Sequence, residues 1–146
     1  MTKRISSSRL GELEVSADEV INFSDGFLGL PFWQEAVLRK TEAAPYLLWL
    51  QFTHDPDAAF LVLDLAMALP DYDQDLARAA AGYSPTAQVL AIVSLPGGLL
   101  AQATANLLAP VVIDFTPIPQ GRQVVLHDSG YPLRHALFTE DEDEPC

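Results

Sequence analysis

At 146 residues the chain suits one domain with a real hydrophobic core, and 49% hydrophobic residues exclude a largely disordered chain. Eight basic residues face twenty acidic ones, a formal charge of −12, which leaves no basic stripe for direct binding of nucleic acid. No apolar run approaches the roughly 20 residues that span a bilayer, and none follows Lys3-Arg4 as a secretory signal requires, so a cytoplasmic protein off the membrane is expected.

Taken in chain order, Leu10–Val15 alternates as a strand, and Glu19–Phe23 continues after the turn-like Ser16-Ala17-Asp18; the two read as an opening hairpin. Gly26-Phe27-Leu28-Gly29 has the wrong glycine spacing for a dinucleotide site and reads as a loop. Trp33 follows Pro31-Phe32 in this loop, where an aromatic can serve as an exposed anchor for a partner. Ala36–Arg39 is a weak strand and Tyr46–Phe52 a strong one. Thr53-His54-Asp55-Pro56-Asp57 turns the chain into Ala59–Leu65, a second hairpin. Trp49, Phe52, Phe60 and Leu63 read as core.

One segment breaks the β pattern. Asp71, Asp73 and Asp75 gather where a helix amino terminus favours negative charge, alanines fill the body, and Gly82 stops it, predicting one short helix over 73–81. A calcium loop is excluded there, because its required glycine and glutamate positions hold Leu76 and Gly82. Beyond it, Val89–Leu95 pairs with Ala103–Leu108, and Val111–Phe115 and Arg122–His127 complete the strands. Several of these strands are apolar on both faces. The expected fold is therefore mostly β, a small closed β-barrel-like domain over residues 1–138 capped by one short helix. Residues 139–146 read as an acidic, disordered tail, since Glu140–Glu144 carries five negative charges in succession.

No catalytic constellation, cofactor site or metal site is read from the chain. His127, Asp128, Ser129 and His135 lie close in sequence, yet Ser129 sits in no nucleophile elbow and Asp128-Ser129-Gly130 reads as a turn. The three histidines lack the spacing of a helical zinc pair, and the one cysteine, Cys146, is terminal.

Several ordered segments resemble the flagellar assembly factor FliW family. They are Gly11–Val15 with Val20–Gly26, Leu48-Trp49-Leu50-Gln51, Asp55-Pro56-Asp57, Ala59–Val62, Pro70-Asp71-Tyr72, Asn106–Ile113, Gly121–Leu126 and Asp128–Phe138. Where that family commonly has Gly-x-Pro-Gly-Phe, this chain has Gly26-Phe27-Leu28-Gly29-Leu30. The resemblance implies a compact β-barrel without catalytic residues. It also implies binding to CsrA, an RNA-binding translational regulator, relief of its repression of flagellin synthesis, and binding to flagellin itself. A negatively charged chain suits a basic partner, and Asp55, Asp57, Asp71 and Asp73 are the acids expected to flank the contact. The rival expectations are a flagellin-binding chaperone or adaptor that leaves the regulator alone, and a small ligand-binding barrel.

Overall fold

The computed structural model describes residues 2–137; the expected acidic tail, 139–146, and Phe138 lie outside the described residues. Among the described residues, eleven strands run in the order β1 (Thr2–Ser7), β2 (Gly11–Ser16), β3 (Ile21–Asn22), β4 (Glu35–Lys40), β5 (Leu47–Phe52), β6 (Ala59–Asp64), β7 (Gln88–Ser94), β8 (Thr104–Ala105), β9 (Val111–Asp114), β10 (Gln120–Gln123) and β11 (His135–Ala136). Two helices, α1 (Leu65–Ala68) and α2 (Gln74–Ala81), fall between β6 and β7.

The larger sheet closes. Its hydrogen-bonded order is β11-β8-β7-β6-β5-β4-β3-β10-β9, and β9 returns to pair with β7 through Gln88↔Ile113, Val89↔Val112 and Leu90↔Val111. Strands β3–β7, β9 and β10 thus form a barrel of seven, with no open edge left in that ring. Antiparallel pairing dominates, and β3 and β10 pair in parallel through Asn22 and Gln120.

Alternation along each strand sends neighbouring side chains to opposite faces, and both faces are covered. Inside the barrel lie Ile21, Phe23, Ala36, Leu50, Phe52, Val62, Leu90, Val111 and Ile113. Outside the same wall, Leu61 and Leu63 of β6, Val89 and Ala91 of β7 and Val112 of β9 pack with Leu65, Tyr72, Ala77 and Ala81 from the helical segment. This double burial explains strands that are apolar throughout.

Helix α2 forms as its sequence predicts. Asp73 caps it, its carboxylate accepting from the Leu76 amide at 3.0 Å, and Gly82 ends it in the left-handed conformation at φ 75°. Ala77 and Ala81 are its buried residues, small enough to bring the helix close to the wall. Helix α1 gave no periodic trace because it is a single turn, capped by Asp64 accepting from Ala66 at 3.1 Å.

The opening hairpin is built differently from the sequence expectation. β2 pairs with β1, from Thr2↔Ser16 to Ser7↔Gly11, whereas β3 joins β4 and β10 in the barrel. A 3₁₀ turn at Ala17–Glu19 separates them, held by Glu19 bonding back to the Ser16 amide at 3.0 Å, so the chain changes sheets. β1 is polar except for Ile5, which with Val15 packs on Val37 on the outside of β4. Two later strands are shorter than expected. β8 ends at Ala105 because the Asn106 side chain takes the Ala109 amide at 3.0 Å and the Leu107 and Leu108 amides turn to the Pro132 carbonyl. β10 spans Gln120–Gln123 instead of continuing to His127. Past it, Val124 and Leu126 still donate to the Pro110 and Leu108 carbonyls, but Pro110 has no N–H to complete the ladder.

Gly121 sits in β10 opposite Ile113, directly against the Phe23 ring in the barrel interior. A Cβ there would lie 2.2 Å from Cε1 of Phe23. Gly121→Ala is expected to lower unfolding free energy by about 1–3 kcal/mol through overpacking, read as a reduced urea midpoint.

Candidate functional site

The residues predicted to contact partners fall into two groups. Asp55 and Asp57 occupy the β5–β6 turn, while Asp71 and Asp73 lie beyond the far end of β6, between α1 and α2. Six residues of strand separate the two, roughly 20 Å at the usual rise, so they do not form one cluster. All four are exposed.

Each group is attached to the scaffold by a defined set of bonds. In the β5–β6 turn the Asp55 carboxylate accepts from the Asp57 amide at 2.9 Å, and Asp57 accepts from the Ser8 hydroxyl. Beneath them Gln51 is wholly buried on the outer face of β5. Its Oε1 accepts from Ser7 Oγ at 2.7 Å, and its Nε2 donates to the Phe52, Asp55 and Ala58 carbonyls at 3.0–3.2 Å. A single buried amide thus ties the β1–β2 turn to the β5–β6 turn. Arg9 from the same β1–β2 turn lies over the Trp49 ring, 4.8 Å from its centroid.

Trp33 belongs to this end of the molecule. It is half-buried, its ring 4.9 Å from that of Phe52, 5.3 Å from Phe60 and 5.5 Å from His54. With Phe27, edge-on to Phe52 at 5.3 Å, it lays the β3–β4 loop across the barrel end. Gly26 turns this loop at φ 66°, where a Cβ would strike the Pro31 backbone at 2.4 Å. The exposed aromatic of the loop is its neighbour Phe32, 85% accessible. Sequence reading expected Trp33 to be the exposed aromatic of this loop; packing on Phe52 and Phe60 turns it inward and leaves Phe32 outside.

At the other end, Tyr72 stacks on Tyr131 at 4.3 Å and donates to the Leu107 carbonyl at 2.6 Å, while the Tyr131 hydroxyl accepts from the Asp73 amide at 2.9 Å. Segments far apart in sequence therefore meet at one pair of rings. Burial pushes the Tyr72 phenol well above its ordinary value of 10.0 and raises Tyr83 as well. Arg122 adds a third tie, donating to the Ala81 carbonyl at the end of α2 and pairing with Asp25, both at 3.0 Å.

Three of the residues weighed for catalysis fall in the turn before Tyr131 and on β11. Asp128 takes a positive φ of 65° in the turn, Ser129 Oγ accepts from the Tyr131 amide at 3.2 Å, and His135 pairs with Ala105 on β11. Among the described residues, no three His, Cys, Asp or Glu side chains gather as a metal site, and no helix is long and apolar enough to cross a membrane.

Surface grooves accompany these features among the described residues. One, of about 380 Å³, lies between the open end of the β1–β2 hairpin and β3, lined by Thr2, Lys3, Val15, Ala17, Val20 and Asn22. The other, about 290 Å³, runs along the outside of β6 and β7, with Leu61, Leu63 and Val93 in its lining. Neither was visible in sequence. Met67-Ala68-Leu69 between a strand and Pro70 is the one short apolar run that marks the second.

The molecule is a closed β-barrel held by buried ties, with acidic turns and apolar grooves outside. Residues 3–137 match the family described as FliW protein, and the chain belongs to that family of flagellar assembly factors. The family is not a known family of enzymes. Flagellar assembly factor FliW of Moorella thermoacetica is 32% identical over 142 residues, covering 94% of this chain and 89% of that protein. The same factor from Caldicellulosiruptor saccharolyticus is 34% identical over 142 residues, covering 93% and 91%. A crystal structure of the flagellar assembly factor FliW aligns with a TM-score of 0.79 over 94% of this chain and 98% of that one. At 23% identity it shows the same fold.

Two measurements test the roles assigned to these rings. Trp33→Ala is expected to cost about 2–4 kcal/mol in urea unfolding, while Phe32→Ala changes stability by less than about 0.5 kcal/mol. A phenol whose folded pKa is raised holds its proton longer in the native state, so stability is intact below pH 10 and falls as pH rises above it. Tyr72→Phe should flatten that alkaline decline in a denaturation series, leaving the smaller share due to Tyr83.

Proposed function

We propose that this chain is a cytoplasmic partner-switching factor that binds the translational regulator CsrA, antagonises its repression of flagellin synthesis, and also binds flagellin. Membership of the FliW family across residues 3–137 carries this reading. The charge of −12 supports it physically: an RNA-binding regulator presents a basic surface, and an acidic partner is drawn to it while repelling RNA phosphates nearby. The closed barrel supports it too, because the acidic residues stand on turns outside a filled interior.

Within this reading, Asp55 and Asp57 at one end and Asp71 and Asp73 at the other flank contacts and assist exclusion of RNA, and the Trp33 loop supplies apolar area beside the first pair. Purified components decide the matter. Addition of the chain to regulator bound to a flagellin messenger leader is expected to release the RNA, and added flagellin to restore the complex. Binding of flagellin without release would leave the chaperone or adaptor reading instead. Charge reversal by Asp55→Lys and Asp57→Lys should slow association with the regulator by about tenfold at low salt and flatten its salt dependence. An on-rate with unchanged salt dependence would count against a role for these acids.

A further inference from the structure

Two large apolar side chains of the β3–β4 loop, Phe32 and Leu28, are 85% and 61% accessible. The backbone that carries them is nonetheless fixed. Phe27 and Leu30 exchange amide-to-carbonyl bonds at 3.0 and 2.8 Å, and the Trp33 amide donates to the Leu30 carbonyl at 3.2 Å. Gln34 Nε2 donates to the Ser24 carbonyl at 3.2 Å, and the Leu28 amide donates to Gln123 Oε1 at 3.0 Å, tying the loop to β10. Apolar side chains on a fixed backbone lose little conformational freedom when a partner covers them. A phenyl ring bared on nearly all sides is buried only by a surface that is concave around it.

The charge beside this loop is negative and uncompensated. The Trp33 ring lies 5.5 Å from that of His54, and Phe32 and Asp55 are their chain neighbours, so the two Cα atoms stand within about 20 Å of one another. One contact of ordinary size, about 800 Å² on each side, covers that span. Asp25 and Glu35 of this loop are each paired, with Arg122 and Lys3. Asp55 and Asp57 are exposed and make no ion pair among the described residues. Their listed donors are neutral, the Asp57 amide and the Ser8 hydroxyl, while the nearby Arg9 guanidinium lies over the Trp49 ring instead.

We propose that Phe32, with Leu28 beside it, is an anchor that enters an apolar cleft on a basic protein partner, and that lysine or arginine at the rim of that cleft faces Asp55 and Asp57. This contact rests on the reading of the chain as a factor that binds the regulator, and it adds the anchoring residue and the chemistry of the surface that receives it. The two parts act at different stages. Exposed carboxylates attract a basic surface before contact and govern association, whereas burial of the ring holds the complex together and governs dissociation.

Binding of purified regulator to the full chain, followed by surface plasmon resonance over a series of salt concentrations, separates these contributions. Phe32→Ala is expected to raise the dissociation rate by about tenfold or more and to leave the salt dependence of association as it was. Phe32→Gln should act in the same direction and serves if the first variant fails to fold. Asp55→Asn combined with Asp57→Asn keeps the acceptor oxygens of the turn and removes both charges; it should slow association by about threefold or more and flatten its salt dependence. Ile118→Ala, which removes an apolar side chain 63% accessible on the β9–β10 loop, should change neither rate.

Unchanged dissociation for both Phe32 variants, with RNA release intact, would overturn the proposal and leave the proposed function standing. Equal weakening by Ile118→Ala would show apolar attraction without a defined place. Loss of flagellin binding in place of regulator binding would assign the loop to flagellin, and a dimer in sedimentation that Phe32→Ala dissolves would assign it to a second copy. Each of these three results also overturns the proposal. A wild-type chain that neither binds the regulator nor releases its RNA would remove the proposed function, and this contact with it.

Discussion

The constraint on which the rest depends is that one barrel wall must bury both of its faces. Strands β5, β6, β7 and β9 are apolar at successive positions, so a sheet with one wet face would expose a row of Leu and Val side chains. Closure through the β7–β9 pairing covers the inner row. The helical segment, β8 and the C-terminal stretch cover the outer row. Strand β7 is central to both, because it pairs with β6, β8 and β9 and contributes Leu90 to the interior and Val89, Ala91 and Val93 to the outer core.

Outer coverage by short and irregular segments brings a problem of its own. Such segments bury little area each and need polar ties to hold their places. Gln51, the Tyr72–Tyr131 stack and Arg122 supply those ties, each bonding segments that are distant in sequence. The segments of this chain that resemble the FliW family contain these same residues. Their chemistry is structural, satisfying carbonyls and amides of the segments they join.

Local signals were legible wherever a few neighbouring residues decide the outcome. Helix α2 is specified by Asp73, its alanines and Gly82, all within ten positions. The β5–β6 hairpin is specified by two nearly continuous apolar runs around an Asp-Pro-Asp turn. The opening strands were not legible in the same way, since β2 is amphipathic and two different strands offered it a partner. Only the Ser16–Glu19 turn and the fit of Ile5 and Val15 on Val37 choose β1. The short β8 and β10 likewise end where Asn106 and Pro110 divert hydrogen bonds, a matter of partners brought close by folding.

By itself, then, the sequence determined an acidic, mostly β barrel with one short helix, and it identified the family, because composition, turn chemistry and ordered motifs are properties of the chain. Tertiary structure decided that β7 closes the ring with β9, that Trp33 turns inward while Phe32 does not, and that the acidic turns stand at opposite ends of β6. It also decided that an apolar groove along the outside of β6 and β7 reaches Leu137. Each of these depends on which side chains meet across the fold, and no stretch of neighbouring residues carries that information.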